Sequence, residues 1–489
     1  MKIGGNGKTI LSFVLVIITL VIGIMMGLWQ VKPIPVDEAS SYYPAYQRMM
    51  ENIQTIAVEP RPSGSENLAA VRAWLIDEIE GAGLTPILED VVFTASELAD
   101  VRVTRYNMTK DAWWEENRDR IERNNDIHSV DDWFASISGA NEDGILRLQN
   151  ILVKLEAPEA EQTVLFVAHY DSVAAGPGAG DNMLSVCAML ETVRAQAIRY
   201  GIKYSPNDLL KTNLYFLFAD GEEQFMLGTR AFAEAHPELK ESIDMVVNID
   251  TRGSRGALLL YETSPEAYAM VRHVSRLRAK PVGFSLAAAV YERMNNYTDL
   301  TIFLEHGYRG INLAAIEGVE NYHRATDTYG NLDPSTAWHY LDTTMALTSY
   351  ISSNYLTGLR DSSLAVVYFP LLRSMVLMSA PMAYSLCGLA CALALVFASI
   401  QKKNKRLRLS FSGAVMGMLA LFSVGSAFLF VEASYLFTIP LLAMGITGFL
   451  KRWPVARAVA RITSGVVSLL LWVPVLYLLW VAMVQPMLL

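Results

Sequence analysis

Hydrophobic positions are unevenly spread along the 489 residues. Ile10 to Trp29 is an unbroken apolar run of about 20 residues, the length a helix needs to cross a bilayer. A cleavable leader would have a shorter apolar core, about 7–15 residues, and a small-residue cleavage site. No such site follows Trp29, so the run reads as an uncleaved anchor. Further membrane spans are expected at Met375–Ile400, Phe411–Val431, Tyr435–Leu450 and Ile462–Val484. Between the two blocks the pattern changes. Short runs of β-branched and aromatic residues recur at Ile151–Leu155, Val164–Ala168, Leu214–Phe218, Met245–Ile249 and Ile311–Ala315, and each reads as a buried strand. Helical spacing covers Asn67–Ala82, with Leu68, Val71, Trp74, Leu75 and Ile79 on one stripe, and also Leu184–Ile198 and Thr229–Ala235.

Strands alternating with helices predict an α/β fold, with a mixed, mainly parallel sheet flanked by helices. Transmembrane helices are expected at both ends. The domain reading is an anchor at 1–31, an extracytoplasmic domain at 32–360 and a membrane domain at 361–489 with about four spans. A charged, helical insertion between Met108 and Phe134 carries Trp113, Trp114, Trp133 and Phe134. These aromatics either wall a substrate cleft or, the preferred reading, pin the insertion to the domain surface.

Charge fixes an orientation. Lys402, Lys403, Lys405, Arg406 and Arg408 fill the first connection between the carboxyl-terminal spans. Lys451, Arg452, Arg457 and Arg461 fill the third, while the connection at Glu432 has no Lys or Arg. With Lys2 and Lys8 before the first run, the positive-inside rule puts the amino terminus in the cytoplasm and the middle domain outside it. Glu432 and Arg373 fall at span ends and the span centres carry no ionisable residue, which favours anchoring over transport. The net charge of −9, with no basic cluster in the polar region, argues against a nucleic-acid partner. Cys187, Cys387 and Cys391 form neither a disulfide framework nor a Cys-x-x-Cys metal pattern.

The candidate chemistry sits where the buried strands end. Val164–Ala168 delivers His169 and Asp171, and a loop with Gly176, Pro177, Gly178 and Gly180 then places Asp181. Leu214–Phe218 leads to Asp220-Gly221-Glu222-Glu223, Met245–Ile249 to Asp250, and Ile311–Ala315 to a loop carrying His323. In open α/β sheets, sites are built beyond the carboxyl ends of strands. Imidazoles and carboxylates are zinc ligands. Carboxylates crowded together repel unless cations or protons neutralise them, and two divalent cations meet that need. A two-metal site activates a water and polarises a carbonyl. Such a site also needs one glutamate free of the metals to move a proton.

The segments HYDS (169–172), GPGAGDN (176–182), DGEEQFMLGTRAF (220–232), NID (248–250) and YHRATDT (322–328) follow one another in register. In that order they resemble the di-zinc exopeptidase family of aminopeptidase Y and glutamate carboxypeptidase. PRPSGSENLAAVRAWL (60–75) resembles that family's amino-terminal helix region, and the likeness covers Ile56 to Ile351. The flanking spans resemble its membrane-bound branch, the vacuolar membrane proteases and endoplasmic-reticulum metallopeptidases. The resemblance implies the zinc exopeptidase fold, peptide substrates and two Zn2+ ions. It implies that Asp181 bridges the ions, with His169 and Asp250 completing one site and Glu223 and His323 the other. Glu222 is then the general acid/base, and Asp171 orients the ring of His169. A cis peptide between Asp181 and Asn182 is also implied.

Asn182 and Arg324 depart from common family residues, and neither departure removes a ligand. Asp299 and Asp327 are expected to support the site without binding metal. His128, His236, His273, His306 and His339 lack matching carboxylates and read as surface or structural, and Cys187 as a small core residue. The expected activity is peptide hydrolysis from the amino end, in the bilayer-anchored domain, at the cell surface or in a vacuolar or reticular lumen. A carboxypeptidase stays open because Arg252, Arg255, Arg293 and Arg324 are candidates to clamp a carboxylate. A glutaminyl cyclase and a non-enzymatic receptor of the same fold are the further alternatives.

Overall fold

In the computed structural model the described residues are 5–105, 107–122, 127–201, 210–294, 296–360, 363–403, 418–426, 431–449 and 454–481. An eight-stranded sheet forms the centre, in the order β1-β2-β4-β3-β5-β8-β6-β7. Its strands are β1 (Ile87–Thr94), β2 (Ile145–Leu155), β3 (Gln162–His169), β4 (Thr212–Ala219), β5 (Ile243–Thr251), β6 (Leu259–Thr263), β7 (Val282–Gly283) and β8 (Gly310–Ala315). The middle strands β4, β3, β5 and β8 run parallel. Antiparallel pairs β1–β2, β2–β4 and β6–β8 flank them. All five strands expected from apolar runs are present. Every residue of β5 is buried, as a strand covered on both faces requires.

Helices cover both faces. Val164 and Phe166 of β3 point to a core shared with α2 (Tyr43–Ile56), α3 (Glu66–Gly81), α7 (Ser185–Gly201) and α13 (Pro334–Ser353). Leu165 and Val167 point the other way, to α8 (Leu227–Ala235) and α12 (Asp299–Glu305). This is the two-residue alternation of a strand. Shorter helices α9 (Leu239–Ser242), α10 (Tyr268–Ser275) and α11 (Ser285–Tyr291) join the remaining strands.

The insertion folds as α4 (Ala95–Arg105), α5 (Lys110–Glu122) and α6 (Val130–Ser138). Trp113 and Phe134 meet at 4.7 Å between ring centroids, inside a small core of the insertion itself. They therefore hold the insertion's helices to one another, where the preferred expectation was that they pin it to the domain surface. Arg102 of α4 ties this unit to the segment after Glu223, through a hydrogen bond to Gln224 and a position 4.3 Å over the Phe225 ring.

A two-stranded hairpin, β9 (Val366–Leu371) and β10 (Ser374–Ser379), follows. This corrects the span expected from Met375: helix begins only at Ala380. Leu372 and Arg373 turn the hairpin with φ of 51° and 59°. A two-residue turn with both φ values positive normally advertises itself by Asn-Gly, which this turn lacks. Beyond it come α14 (Ala380–Lys403), α15 (418–426), α16 (Tyr435–Phe449) and α17 (Pro454–Leu479). Among the described residues, Ile462–Leu479 is the one stretch long and apolar enough to cross a membrane. Val16–Trp29, Ala380–Val396 and Tyr435–Met444 are shorter apolar stretches. Most of Phe411–Val431 lies outside the described residues, as do Lys2, Lys405, Arg406, Arg408, Lys451 and Arg452.

The first helix, α1 (Gly5–Trp29), packs along α17. Gly465 lies against Thr19, Gly23 against Leu469 and Gly27 against Val473. Partners advance together, so the two helices run parallel. Small residues at four-residue spacing allow this approach. At the end of α1, Gln30 donates to Leu470 O (2.5 Å) and accepts from Leu372 N (3.0 Å), joining α1, α17 and the hairpin turn.

A Cβ on Gly27 would lie 2.7 Å from Val473 Cβ, whereas one on Gly388 would meet nothing within 4 Å. Gly27→Leu is expected to destabilise the protein by about 1–3 kcal/mol. Gly388→Leu should cause no loss. Thermal unfolding of the detergent-solubilised chain reads both.

Candidate metal centre

Strand register places the site. His169 ends β3 opposite Ala219 of β4, and Asp250 of β5 lies opposite Ala314 of β8. The segments carrying Glu222, Glu223 and His323 leave the same edge of the sheet. Imidazole Nε2 of His169 is 3.3 Å from Asp181 Oδ1 and 3.5 Å from Asp250 Oδ1. Nε2 of His323 is 3.1 Å from both Asp181 Oδ2 and Glu223 Oε2. Two ligand groups result, His169–Asp181–Asp250 and Asp181–Glu223–His323, with donor atoms within 4.8 Å of one another in each. Asp181 belongs to both, offering one oxygen to each group.

Asp171, fully buried, holds this arrangement from behind. Its Oδ1 lies 3.2 Å from His169 Nδ1 and accepts from Glu222 N at 3.2 Å. Its Oδ2 accepts from Glu223 N at 3.2 Å. One carboxylate thus sets the ring of His169 and the backbone of both glutamates. The Asp181 loop has its own supports. Gly178 sits at φ +60°, and the Asp181–Asn182 peptide is cis, as the resemblance implied. Asp327 accepts from Gly180 N (2.8 Å) and Asp181 N (2.9 Å), and Asn182 Nδ2 donates to Ile249 O of β5 (3.0 Å). His323 itself adopts φ 57°, with the Tyr322 ring stacked on it at 3.8 Å.

Sequence reasoning missed two supports. Arg61 is fully buried and donates to the carbonyls of Tyr170 (2.7 Å), Pro177 and Gly178 (3.0 Å), so it gathers the loop between Asp171 and Asp181. Its segment PRPSGS was noticed, but nothing in the spacing gave the arginine a role. Tyr340 of α13 donates to Asp250 O (2.7 Å) and accepts from Ala315 N (2.7 Å), which locks the ends of β5 and β8 together. A helix tyrosine carries no sequence signal for that contact.

Electrostatics tests whether these residues suit a cation. Burial raises the Glu222 carboxyl well above its ordinary range, and Glu223, Asp250 and Asp299 raise it further against the pull of His169. Burial and the neighbouring Asp181 push Glu223 up to about 7. For His323, burial works downwards, but Asp181 and Glu223 outweigh it and lift the ring to about 10. Asp181 is held below its usual range because the two histidines outweigh burial. The cluster therefore carries more negative charge than its histidines neutralise. His169 Nε2 and Glu223 Oε1 are buried without hydrogen-bond partners. Buried polar atoms are rarely left so. Nitrogen and carboxylate donors facing a common point fit zinc.

Other expectations resolve individually. Asp299 accepts from Thr229 Oγ1 at 2.5 Å and belongs to neither ligand group. His273 hydrogen-bonds Tyr350 Oη, and His339 bridges Leu258 N and Lys280 O, both in structural roles. His236 corrects the expectation of no carboxylate partners. Glu89 of β1 approaches it at 2.9 Å and Glu238 at 3.1 Å. Cys187 is wholly buried in the main core. Arg255 pairs with Glu320, and Arg252 donates to Asn296 Oδ1 at 3.0 Å.

Residues 150–348 match the model described as Peptidase family M28. The vacuolar membrane protease of Saccharomyces cerevisiae is 31% identical over 210 residues, covering 42% of this chain and 20% of that protein. The vacuolar membrane protease of Eremothecium gossypii is 31% identical over 241 residues, covering 48% and 22%. The matched part thus spans about a fifth of each relative's length. Among solved structures, an aminopeptidase from Aneurinibacillus sp. strain AM-1 aligns over 63% of this chain and 94% of its own, at 14% identity and a TM-score of 0.46.

Asp171→Asn replaces one of two acceptor oxygens by an NH2 group, which cannot accept from a backbone N–H. Zinc affinity is expected to fall about 10- to 100-fold, as for other partners that orient ligating histidines. Titration calorimetry against the unaltered chain reads the change.

Proposed function

We propose that this chain, which carries a Peptidase family M28 domain at 150–348, is a membrane-anchored zinc exopeptidase that removes amino-terminal residues from peptides outside the cytoplasm. The observation that carries the reading is the shared carboxylate Asp181, with one oxygen toward each of two ligand groups. In this reading His169, Asp181 and Asp250 hold one Zn2+, and Asp181, Glu223 and His323 hold the second. When bound, the two ions supply Lewis-acid polarisation of the peptide carbonyl and make a water acidic enough to attack it.

The remaining work falls to the chain's own groups. Glu222 stands in neither ligand group, so its carboxylate is left free to carry a proton. Its carboxylate takes the proton from the attacking water and returns it to the leaving nitrogen. Asp171 keeps Nε2 of His169 directed at the ligand group and holds Glu222 beside it through the backbone.

The membrane arrangement rests on separate support. Parallel packing of α1 and α17 puts both amino-terminal ends on one side, and Lys8, Arg457 and Arg461 belong to the first turns of these two helices. The Peptidase family M28 domain follows α1 on the opposite side. Under the positive-inside rule that side is extracytoplasmic.

Replacing Glu222 with Gln is expected to reduce peptide hydrolysis by about 10²- to 10⁴-fold while zinc content stays at the wild-type level. Chelation should silence the wild type and added zinc restore it. Peptides acetylated at the amino end should resist hydrolysis, and peptides amidated at the carboxyl end should not. Unchanged turnover in Glu222→Gln eliminates the mechanism, and the reverse blocking pattern makes the enzyme a carboxypeptidase.

A further inference from the structure

Helix α17 lies outside the residues matched by the family and contributes no metal ligand. Its carboxyl-terminal turns nevertheless border the candidate centre. Between it and the domain lies a cavity of about 280 Å³. Tyr261, Phe284, Tyr291 and Tyr322 line the domain side, and Val475 and Leu478 of α17 line the other. The cavity adjoins the ligand groups through two residues. Tyr322 stacks on the ring of His323, and Arg252, also in the lining, lies just past Asp250 on the strand end. Apart from the Arg252 guanidinium, which faces Asn296 and the Tyr322 ring, every lining residue is apolar or aromatic.

The helix is also latched to the ligand loop. Tyr477 Oη donates to Glu317 Oε2 at 2.7 Å, and the Glu317 carbonyl accepts from Arg255 N at 2.8 Å. Glu317 lies on the segment that runs from β8 to His323. A dry cavity of about 150 Å³ is enough to take benzene. The larger space here accommodates an aromatic or long aliphatic side chain.

We propose that α17 forms one wall of the substrate's side-chain pocket. The enzyme then selects peptides with a large apolar residue beside the scissile bond, and part of that selectivity resides in the carboxyl-terminal helix. The inference rests on the metallopeptidase reading above. A peptide side chain is the occupant because the space opens beside the groups that would hold the reacting carbonyl.

The test uses the full chain in detergent and peptides that differ only in the first residue: Ala, Leu, Phe or Trp. Zinc content is measured alongside. Wild type should favour Leu and Phe over Ala by about tenfold or more in kcat/KM, the discrimination an apolar pocket supplies. Leu478→Trp fills the pocket and should shift the preference toward Ala by about tenfold. Leu478→Ala enlarges it and should shift the preference toward Trp. Opposite shifts from the two variants cannot arise from general loosening of the fold. If both variants lower all peptides in proportion, or respond to added lipid without any change in preference, α17 is not a pocket wall and the proposal falls. If wild type hydrolyses no peptide even with zinc bound, the metallopeptidase reading fails and takes this inference with it.

Discussion

The buried carboxylate of Asp171 is the joint on which the candidate site turns. It lies just past β3, and it accepts two hydrogen bonds from the backbone that leaves β4, with Nδ1 of His169 against Oδ1 and the Ser63 hydroxyl donating to Oδ2. Taking a carboxylate out of water costs several kcal/mol unless donors replace the lost hydration. Here the donors belong to the parts that must be placed. Hydrogen bonds to a charged group contribute about 1.5–3 kcal/mol each, so the site is fixed by the same interactions that make the buried charge tolerable. The direction of the His169 ring and the exit angle of Glu222 and Glu223 are therefore not independent variables. Parallel register between β3 and β4, with His169 beside Ala219, is what brings them within reach of a single side chain.

A second buried charge of opposite sign does the corresponding work for the Asp181 loop. Arg61 has lost its water, and burial lowers its pKa against the fields of Asp171, Asp327 and Asp181. Backbone carbonyls at Tyr170, Pro177 and Gly178 take the place of that water. From the other side Asp327 collects the N–H groups of Gly180 and Asp181. The loop is thus held by a cation on its carbonyls and an anion on its amides. Asp181 can then present one oxygen to each ligand group without help from regular secondary structure.

Legibility in the sequence followed the physics of each element. The five ligand candidates were readable because each follows an apolar run that could only be a buried strand. Edge strand β1 was not, since Glu89 and Asp90 break its apolar run and its residues alternate between half-buried and exposed. Its Glu89 gives His236 the partner that the sequence could not supply. The β9–β10 hairpin hid behind a Leu372-Arg373 turn that carries no glycine or asparagine. Gly23 and Gly27 have the spacing of a close helix contact, yet spacing does not name a partner. The same spacing at Gly413 and Gly417 falls outside the described residues. Arg61 and Tyr340 act on carbonyls and amides, which every residue has, so no pattern of side chains foretells them.

The helices at the two ends are more than tethers in this architecture. Helix α17 is held at Leu470 by Gln30, at the end of α1, and at Tyr477 by Glu317 of the ligand segment. Seven residues of helix separate these contacts, a rise of about 10 Å. A rod fastened at two such levels cannot swivel about either one. Gln30 also accepts from Leu372 N, so the hairpin turn is fastened at the first level as well. The orientation of the α/β domain relative to α1 and α17 is consequently set by specific hydrogen bonds and not by linker length alone. A displacement of α17 would pull on Glu317, and through it on the segment that aims His323.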